Sequence, residues 1–354
     1  MPQFEIDPDI RKAKTLSSEF YIDERYFELS KERIFSRTWQ FAGRSNDVES
    51  LRPINLLPGF LDEPVLLAKS GDAVHCLSNV CTHRGKILIE EPCNAHLIRC
   101  GYHGRRFALD GKFLSMPEFE DVENFPSEGD DLRGVPLAER AGFLFASLDP
   151  VASFKEFINE TAGLFAEYEG TNLKRSSTRE YEVNAHWALY CENYLEGFHI
   201  PYVHKSLNAI VDYDSYATET FRYSSLQTAL SEPPASAGGQ KGNDKNSSAN
   251  VAARYLFIFP NLMFNFYPWG VSVNVVRPVT SSKSVVEFIF YVGDESLMNE
   301  GAGADLHGVE LEDEAVVESV QKGIRSRFYS HGRYSPTREQ GTHHFHQLIA
   351  DFMR

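Results

Sequence analysis

Two short stretches carry the most specific pattern in this sequence: Cys81-Thr82-His83-Arg84-Gly85 and Cys100-Gly101-Tyr102-His103-Gly104. The first reads Cys-x-His and the second, after sixteen intervening residues, reads Cys-x-x-His. Their glycines let the backbone bend tightly around whatever lies between the loops. Each loop offers one thiolate and one imidazole, so the two loops together predict a single site with four ligands.

The ligand types alone leave two kinds of metal centre open. Two sulfurs and two nitrogens bind tetrahedral zinc, and they also bind a [2Fe–2S] cluster in which two histidines replace two cysteines on one iron. The spacing and the residues around the ligands resemble the Rieske motif. The resemblance implies that Cys81 and Cys100 bind one iron and that His83 and His103 bind the other.

An all-β module is predicted around these loops, from residue 38 to residue 150. Short alternating segments at 53–57, 64–68, 74–77, 97–99 and 142–146 are separated by turn signals. His75 and His96 lie in this module without a partner at ligand spacing, so we do not assign them to the site. The module departs from the family at Gly101 and Arg105, where proline and tryptophan are common, but neither position is a ligand.

Composition excludes several other classes of protein. The chain has 354 residues and a formal net charge of −15, which disfavours nucleic acid or an anionic membrane as a partner. It has no apolar run near eighteen residues and no basic-then-apolar leader, which predicts a cytoplasmic protein. Five cysteines include the two predicted ligands and leave Cys76, Cys93 and Cys191 as expected free thiols.

A second informative stretch covers residues 184–207, where apolar residues recur at helical spacing. The opposite face of this predicted helix carries Glu192, Glu196 and His199. Pro201 is expected to end the helix, so that His204 turns back beside His199. A solvated polar face is the plain interpretation, but such faces usually carry lysine and this one has none. The alternative is two histidines of a 2-His-1-carboxylate iron site.

The third ligand is predicted to be a carboxylate in the acidic run 305–318. An apolar stripe is expected at Val316, Val317, Val320, Ile324 and Phe328. Stepping back from that stripe by three and four residues leads to Asp313, and an acid on an inward face needs a partner. Glu312 and Glu314 are the alternatives.

Residues 192–204 resemble the mononuclear-iron segment of Rieske non-haem iron oxygenases, and they follow the cluster motif in that family's order. The resemblance implies that His199, His204 and Asp313 bind Fe(II). It also makes Asn193 and Glu196 candidate catalytic residues.

The resemblance further implies a route between subunits. In the family, an acid three residues before the first iron histidine bridges a cluster histidine of one chain and an iron histidine of its neighbour. Here His103 of one chain would meet Glu196 and His199 of the next, which implies a homotrimer.

The fold expected from these motifs is α+β. An all-β Rieske domain (38–150) is inserted in a catalytic domain (1–37 and 151–354) in which helices pack on an antiparallel sheet. Residues 225–252 are rich in Gly, Ser, Pro and Asn, and whether they form a lid or a surface insertion stays open. The histidines near the C-terminus, His343, His344 and His346, are expected to be structural.

The expected function is that of the oxygenase component of a Rieske system. No Gly-x-Gly-x-x-Gly follows a predicted strand, so NAD(P)H is expected to act only through a separate reductase or ferredoxin. Glutamate at position 196 and the tail resemble the branch that hydroxylates or N-dealkylates quaternary ammonium compounds such as choline, betaines and carnitine. A ring-hydroxylating dioxygenase for aromatic substrates is the alternative enzyme, and a Rieske electron carrier is the alternative from another class.

Overall fold

The computed structural model describes residues 4–171, 173–209, 212–230, 251–298 and 306–354. The chain divides into two compact units, one of residues 35–154 and one of residues 1–34 with 155–354. The predicted segment 225–252 lies largely outside the described residues.

The unit 35–154 consists of short antiparallel strands and connecting loops. Its strands are β1 (Gln40–Arg44), β2 (Leu51–Leu56), β3 (Glu63–Ser70), β4 (Ala73–Ser78), β5 (Ile98–Arg99), β6 (Arg106–Phe107), β7 (Phe113–Ser115), β8 (Leu137–Arg140) and β9 (Phe143–Ala146). They pair in the orders β1-β9-β8, β2-β3-β4 and β5-β6-β7. Each of the five segments predicted in this region overlaps one of these strands.

The two cysteine-histidine loops leave this module at neighbouring points. The first follows β4, and the second connects β5 to β6. Cys81 and Cys100 belong to a buried core that also contains Leu66, Leu77 and Phe107. The hydrophobic core of the module therefore fixes the bases of both loops.

The second unit is organised on one antiparallel sheet. Its strands are β10 (Lys174–Val183), β11 (Ala217–Thr220), β12 (Ser224–Leu230), β13 (Val251–Ile258), β14 (Leu262–Tyr267), β15 (Gly270–Thr280) and β16 (Lys283–Val292). Within the described chain the order is β10-β16-β15-β14-β13-β12-β11. Every residue of β14 is buried, which shows that both faces of the sheet centre are covered.

Helices cover this sheet. The α-helices are α1 (Ser18–Ile22), α2 (Glu24–Arg33), α3 (Phe154–Ile158), α4 (Ala162–Ala166), α5 (Trp187–Tyr194), α6 (Ile200–Val203), α7 (Lys205–Asn208), α8 (Leu306–Gly323) and α9 (Gln340–Met353). Helix α5 packs on β15 and also contacts α8 and α9. The α+β fold class predicted from the sequence is confirmed. In the parts of the chain that are described, no helix is long and apolar enough to cross a bilayer.

The prediction of a single helix that runs as far as Pro201 is wrong. Helix α5 ends at Tyr194, and Pro201 lies instead in the first turn of α6. Two glycines explain the break, because a Cβ on Gly197 would lie 2.8 Å from the ring of Tyr216 and one on Gly341 would lie 2.4 Å from the carbonyl oxygen of Leu195. The chain turns where these close approaches occur, and proline is well tolerated at the start of a helix.

Replacing Gly341 with alanine is expected to destabilise the protein by about 1–3 kcal/mol, since the backbone carbonyl of Leu195 has no flexible end that can move aside. The matched control is Gly323→Ala at the end of α8, where, apart from adjacent residues and the backbone of the helix itself, no atom of the described chain lies within 4 Å of the place that the added methyl carbon would occupy. That change should leave the unfolding midpoint unchanged or raise it slightly. Thermal unfolding of both variants checks this, and equal midpoints would contradict the close contact.

Candidate functional site

The two loops of the β unit repeat one backbone arrangement. The N–H of Gly85 donates to the carbonyl of Cys81 at 3.0 Å, and the N–H of Gly104 donates to that of Cys100 at 3.1 Å. In each loop the cysteine N–H also donates, at 2.8 Å, to the carbonyl five residues later. Gly85 and Gly104 have φ values of 72° and 77°, which favour glycine. Each loop therefore holds its cysteine at the base of the same tight turn.

The side chains of the loops fit a Rieske cluster. Cys81 and Cys100 are buried, while the rings of His83 and His103 are half-buried with centroids 4.9 Å apart. Nδ1 of His103 is buried, and among the described residues it has no hydrogen-bond partner. A buried ring nitrogen without a partner, beside a second imidazole, is available to bind a shared group.

The surroundings of the two cysteines shift the pKa values of their thiols in opposite directions. Burial raises the pKa of the Cys81 thiol. Burial acts in the same direction on Cys100, but the backbone N–H of Tyr102 at 3.4 Å from Sγ, the Cys81 thiol, the backbone of His103 and Lys86 together outweigh it, so the pKa of that thiol is lowered. Backbone donors of this kind stabilise the thiolate form, which is the form that binds metal.

Arg105 occupies the position where tryptophan is common in the family. Its side chain is 2% exposed, and its guanidinium pairs with Asp130 at 2.7 Å. The same group lies over the rings of Phe107, Phe113 and Phe125 at 4.9–5.6 Å. The arginine thus fills an aromatic position while adding a buried charge. Burial and the neighbouring His103 are the two largest causes of the lowered pKa of His83, and the charge of Arg105 lowers it further.

In the other unit, His199, His204 and Asp313 bring three ligand atoms together. Nε2 of His204 lies 3.2 Å from Nε2 of His199 and 3.0 Å from Oδ1 of Asp313, and the third side of the triangle is 3.4 Å. Ligand atoms at bond lengths of about 2.1 Å lie roughly 3.0 Å apart in an octahedron and roughly 3.4 Å apart in a tetrahedron. The triangle therefore fits a single metal ion bound on one face.

Hydrogen bonds to the opposite nitrogens orient both imidazoles. Nδ1 of His199 lies 2.7 Å from Oε1 of Glu196, and Nδ1 of His204 lies 2.8 Å from Oε2 of Glu312. A carboxylate at Nδ1 holds the proton there and leaves the Nε2 lone pair free for a metal. Glu312, an alternative third ligand in the sequence prediction, is thus placed on the far side of His204. Glu314 does not join the triangle.

Asp313 and His204 have further interactions of their own. The side-chain amide of Asn193 donates to Oδ1 of Asp313 at 2.5 Å. Burial lowers the pKa of His204, but its contacts with Asp313 and Glu312 outweigh burial, so the net pKa lies above the ordinary value. A positive charge is therefore favoured at this point, whether it comes from a proton or from a metal.

Glu192 does not share an edge with Glu196 and His199, which corrects the sequence prediction. Its Oε1 accepts a hydrogen bond from the hydroxyl of Tyr21 at 2.7 Å and lies 3.1 Å from Nε2 of His346. The reason is the early end of α5, which rotates everything after Tyr194 away from the helical phase. His346 is fully buried in this network and does not belong to the triangle's ligand set.

A cavity lies against the triangle, between α5, α8 and the sheet. Its described lining is mostly aromatic and neutral-polar, with a few acids: Tyr190, Asn193, Tyr194, Glu196, His199, Ile200, His204, Leu207, Tyr216, Tyr255, Asn265, Tyr267, Asn274, Phe288, Leu306, Val309, Glu310 and Asp313. Sequence reasoning missed Asn265, Asn274 and Glu310. The signal for the asparagines is a polar residue inside an otherwise apolar strand, and for Glu310 it is the helical phase of Asp313.

Comparison with known families finds one match in each of the two units. The family described as "Rieske [2Fe-2S] domain" matches residues 38–126. The family described as "Ring hydroxylating alpha subunit (catalytic domain)" matches residues 171–354.

Individual relatives cover almost the whole chain. Choline monooxygenase, chloroplastic, of Arabidopsis thaliana is 30% identical over 98% of this chain and 85% of its own length. The carnitine monooxygenase oxygenase subunit of Escherichia coli (strain K12) is 29% identical over 97% and 95%. The solved structure of a quaternary ammonium Rieske monooxygenase, studied for carnitine oxidation by gut microbiota, matches 100% of both chains with a TM-score of 0.80 and 23% identity. That structural match shows a common fold.

Replacing Arg105 with methionine is expected to destabilise the protein by about 1–3 kcal/mol at pH 7, since Asp130 loses its partner and three rings lose a contact. Hydrogen bonding to Arg105 lowers the pKa of Asp130, so this stabilisation is present above about pH 4 and is lost as the pH falls through the folded-state value. The difference between wild type and variant in thermal unfolding should therefore narrow at acidic pH. A difference in unfolding midpoint that widens at acidic pH would contradict a stabilising ion pair. The control is Lys112→Met, which removes an exposed ion pair with Asp131.

Proposed function

We propose that this chain, which belongs to the ring-hydroxylating α-subunit family of Rieske oxygenases, oxidises a small quaternary ammonium compound with O2. The two motifs predicted a Rieske oxygenase, and the family match confirms that prediction. The choline and carnitine monooxygenases among its relatives support the substrate class. NAD(P)H acts through a separate reductase or ferredoxin, as the family's use of an external electron donor implies.

The ligand sets described above have separate roles in this proposal. Cys81, Cys100, His83 and His103 hold the [2Fe–2S] cluster, and His199, His204 and Asp313 hold a mononuclear Fe(II). When bound, the cluster supplies electrons one at a time and the iron, with positions left open by three protein ligands, activates O2.

The protein's own groups prepare the iron site. Glu196 and Glu312 keep a proton on Nδ1 of the two histidines, and Asn193 holds the carboxylate of Asp313 in line with them. Phenol rings and aliphatic side chains limit water around the open face of the triangle. Substrate bound in the cavity therefore lies beside the ligand atoms in a largely apolar surrounding.

The observation that carries the substrate class is the aromatic cavity against the triangle. Tyrosine faces and edges attract a trimethylammonium group, whose methyl groups contact the rings while the charge interacts with them electrostatically. An aromatic ring would also stack there, so a ring-hydroxylating dioxygenase is the alternative that the test must separate.

A homotrimer completes the proposal. Tyr102, which stacks on His103 at 3.7 Å, is 57% exposed, and Tyr202, between the two iron histidines in sequence, is 77% exposed. Large exposed aromatic residues at both ligand sets support an interface at each of them. In this arrangement Glu196 links its own His199 to His103 of a neighbouring copy. A cytoplasmic location stays a prediction.

Asp313→Ala is expected to remove the mononuclear iron while leaving the cluster in place, because the two ligand sets share no residue. Iron per chain should fall by one with acid-labile sulfide unchanged, and the visible spectrum of the cluster should persist. Glu312→Gln is the matched control, since it changes only the hydrogen bond to His204 and should weaken iron binding by about 10–100-fold. An Asp313→Ala protein that retains its full iron would exclude Asp313 as a ligand.

Turnover tests the function directly. With NADH and a reconstituted reductase, choline or carnitine should drive O2 uptake and yield an oxidised product, while Glu196→Gln, with both centres loaded, should show at least about a 100-fold lower rate. Response only to aromatic acids would indicate a ring dioxygenase instead. Reduction of the cluster without O2 uptake for any substrate would indicate an electron carrier.

A further inference from the structure

Glu310 is a buried carboxylate in the cavity wall that the proposed reaction does not use. It lies on α8, three residues before Asp313, and is 3% exposed. Its Oε2 accepts a hydrogen bond from the hydroxyl of Tyr190 at 2.6 Å. Its Oε1 is also buried, and no donor in the described part of the chain lies within hydrogen-bond distance. One oxygen of this carboxylate is thus satisfied and the other is not.

An unpaired buried carboxylate oxygen is costly, because desolvation penalises its charge. Burial is the main reason that the pKa of Glu310 is raised well above its ordinary value, with Asp313 and Glu314 adding to the effect and Tyr190 opposing it. Such a group is stabilised by a cation that enters the cavity and lies against it.

In the described part of the chain, the rest of the cavity wall supplies no lysine or arginine. By contrast, Glu196, Glu310 and Asp313 are acids. A divalent metal ion at the triangle would offset Asp313 and one further negative charge, so the three acids of the described lining would keep a net negative charge. The cavity lining that includes Glu310 also contains six aromatic residues: Tyr190, Tyr194, Tyr216, Tyr255, Tyr267 and Phe288.

The sheet side of the cavity adds neutral hydrogen-bonding groups. Asn265 accepts from the hydroxyl of Tyr194 at 2.7 Å, and Asn274 accepts from that of Ser272 at 2.7 Å. Amides suit a hydroxyl group on the substrate, whereas a substrate carboxylate normally pairs with arginine or lysine.

We propose that Glu310 recognises the ammonium group of the substrate and that the preferred substrate is a monocation without a carboxylate, of the choline type rather than a zwitterionic betaine. This inference rests on the proposed function, because it assigns a partner to the substrate in the same cavity. It places one negative charge of the cavity wall against the ammonium group, while the aromatic rings and neutral amides of the same lining contact the rest of the molecule.

Binding measured by calorimetry on the metal-loaded protein, without O2, tests the assignment independently of turnover. The two ligands are choline and 3,3-dimethylbutan-1-ol, which has the same shape but no charge. Wild type should bind choline at least about 10-fold more tightly than the neutral alcohol. Glu310→Gln keeps an acceptor for Tyr190 and should weaken choline binding by about 10–100-fold while leaving the neutral alcohol unchanged.

Glu318→Gln is the matched control. It neutralises an acid on the same helix that accepts hydrogen bonds from Asn184 and does not line the cavity. Its binding of both ligands should equal that of wild type. Circular dichroism and the cluster spectrum verify that each variant is folded. Equal binding of the two ligands by the wild type would overturn the assignment, whether or not Glu310→Gln folds.

The remaining outcomes separate this inference from the proposed function. A Glu310→Gln protein that keeps the wild-type preference for choline over the alcohol overturns the role of Glu310, even if turnover occurs. Tighter binding of carnitine or glycine betaine than of choline overturns the monocation preference. Charge-selective binding that depends on Glu310, without O2 uptake for any ammonium compound, supports the inference while the oxygenase reaction fails.

Discussion

The catalytic unit depends on holding two imidazoles and a carboxylate within 3.0–3.4 Å of one another. This triangle of ligand atoms favours a positive charge, and the helices and turns around it keep the three atoms close together. Helix α5 stops at Tyr194, the chain turns beside Gly197, and α8 presents Asp313 to the two histidines. Glu196 and Glu312 then fix the ring orientations from outside. A small displacement of any of these elements would separate the ligand atoms by more than one metal ion spans.

Local patterns in the sequence were sufficient to predict the tight turns of the two cysteine-histidine loops. Cysteine, histidine and glycine within five residues determine each turn, and the repeated backbone hydrogen bonds follow from that local sequence. The pairing of Arg105 with Asp130 was not predictable in the same way. It joins residues 25 positions apart and depends on how aromatic rings pack around the guanidinium. Sequence order carries no direct signal for such a contact.

The triangle of His199, His204 and Asp313 was predictable only in part, and helical phase explains both outcomes. Phase pointed to Asp313, although Val320 and Phe328, used to define the stripe, are exposed; the inward face actually carries Glu310, Val317 and Gln321. Phase also grouped Glu192 with Glu196, which is wrong because α5 ends between them. At the end of α5, Gly341 lies close to the carbonyl oxygen of Leu195, a contact between distant parts of the chain. Tertiary contact overrode local periodicity at that point.

The central claim is that one chain holds a cluster and a separate mononuclear iron. The most direct measurement is iron and acid-labile sulfide per chain in wild-type protein purified without chelator. The account predicts about three irons and two sulfides, two of the irons belonging to the cluster. About two irons and two sulfides, unchanged after addition of Fe(II), would contradict it, because the triangle of His199, His204 and Asp313 would then bind no iron.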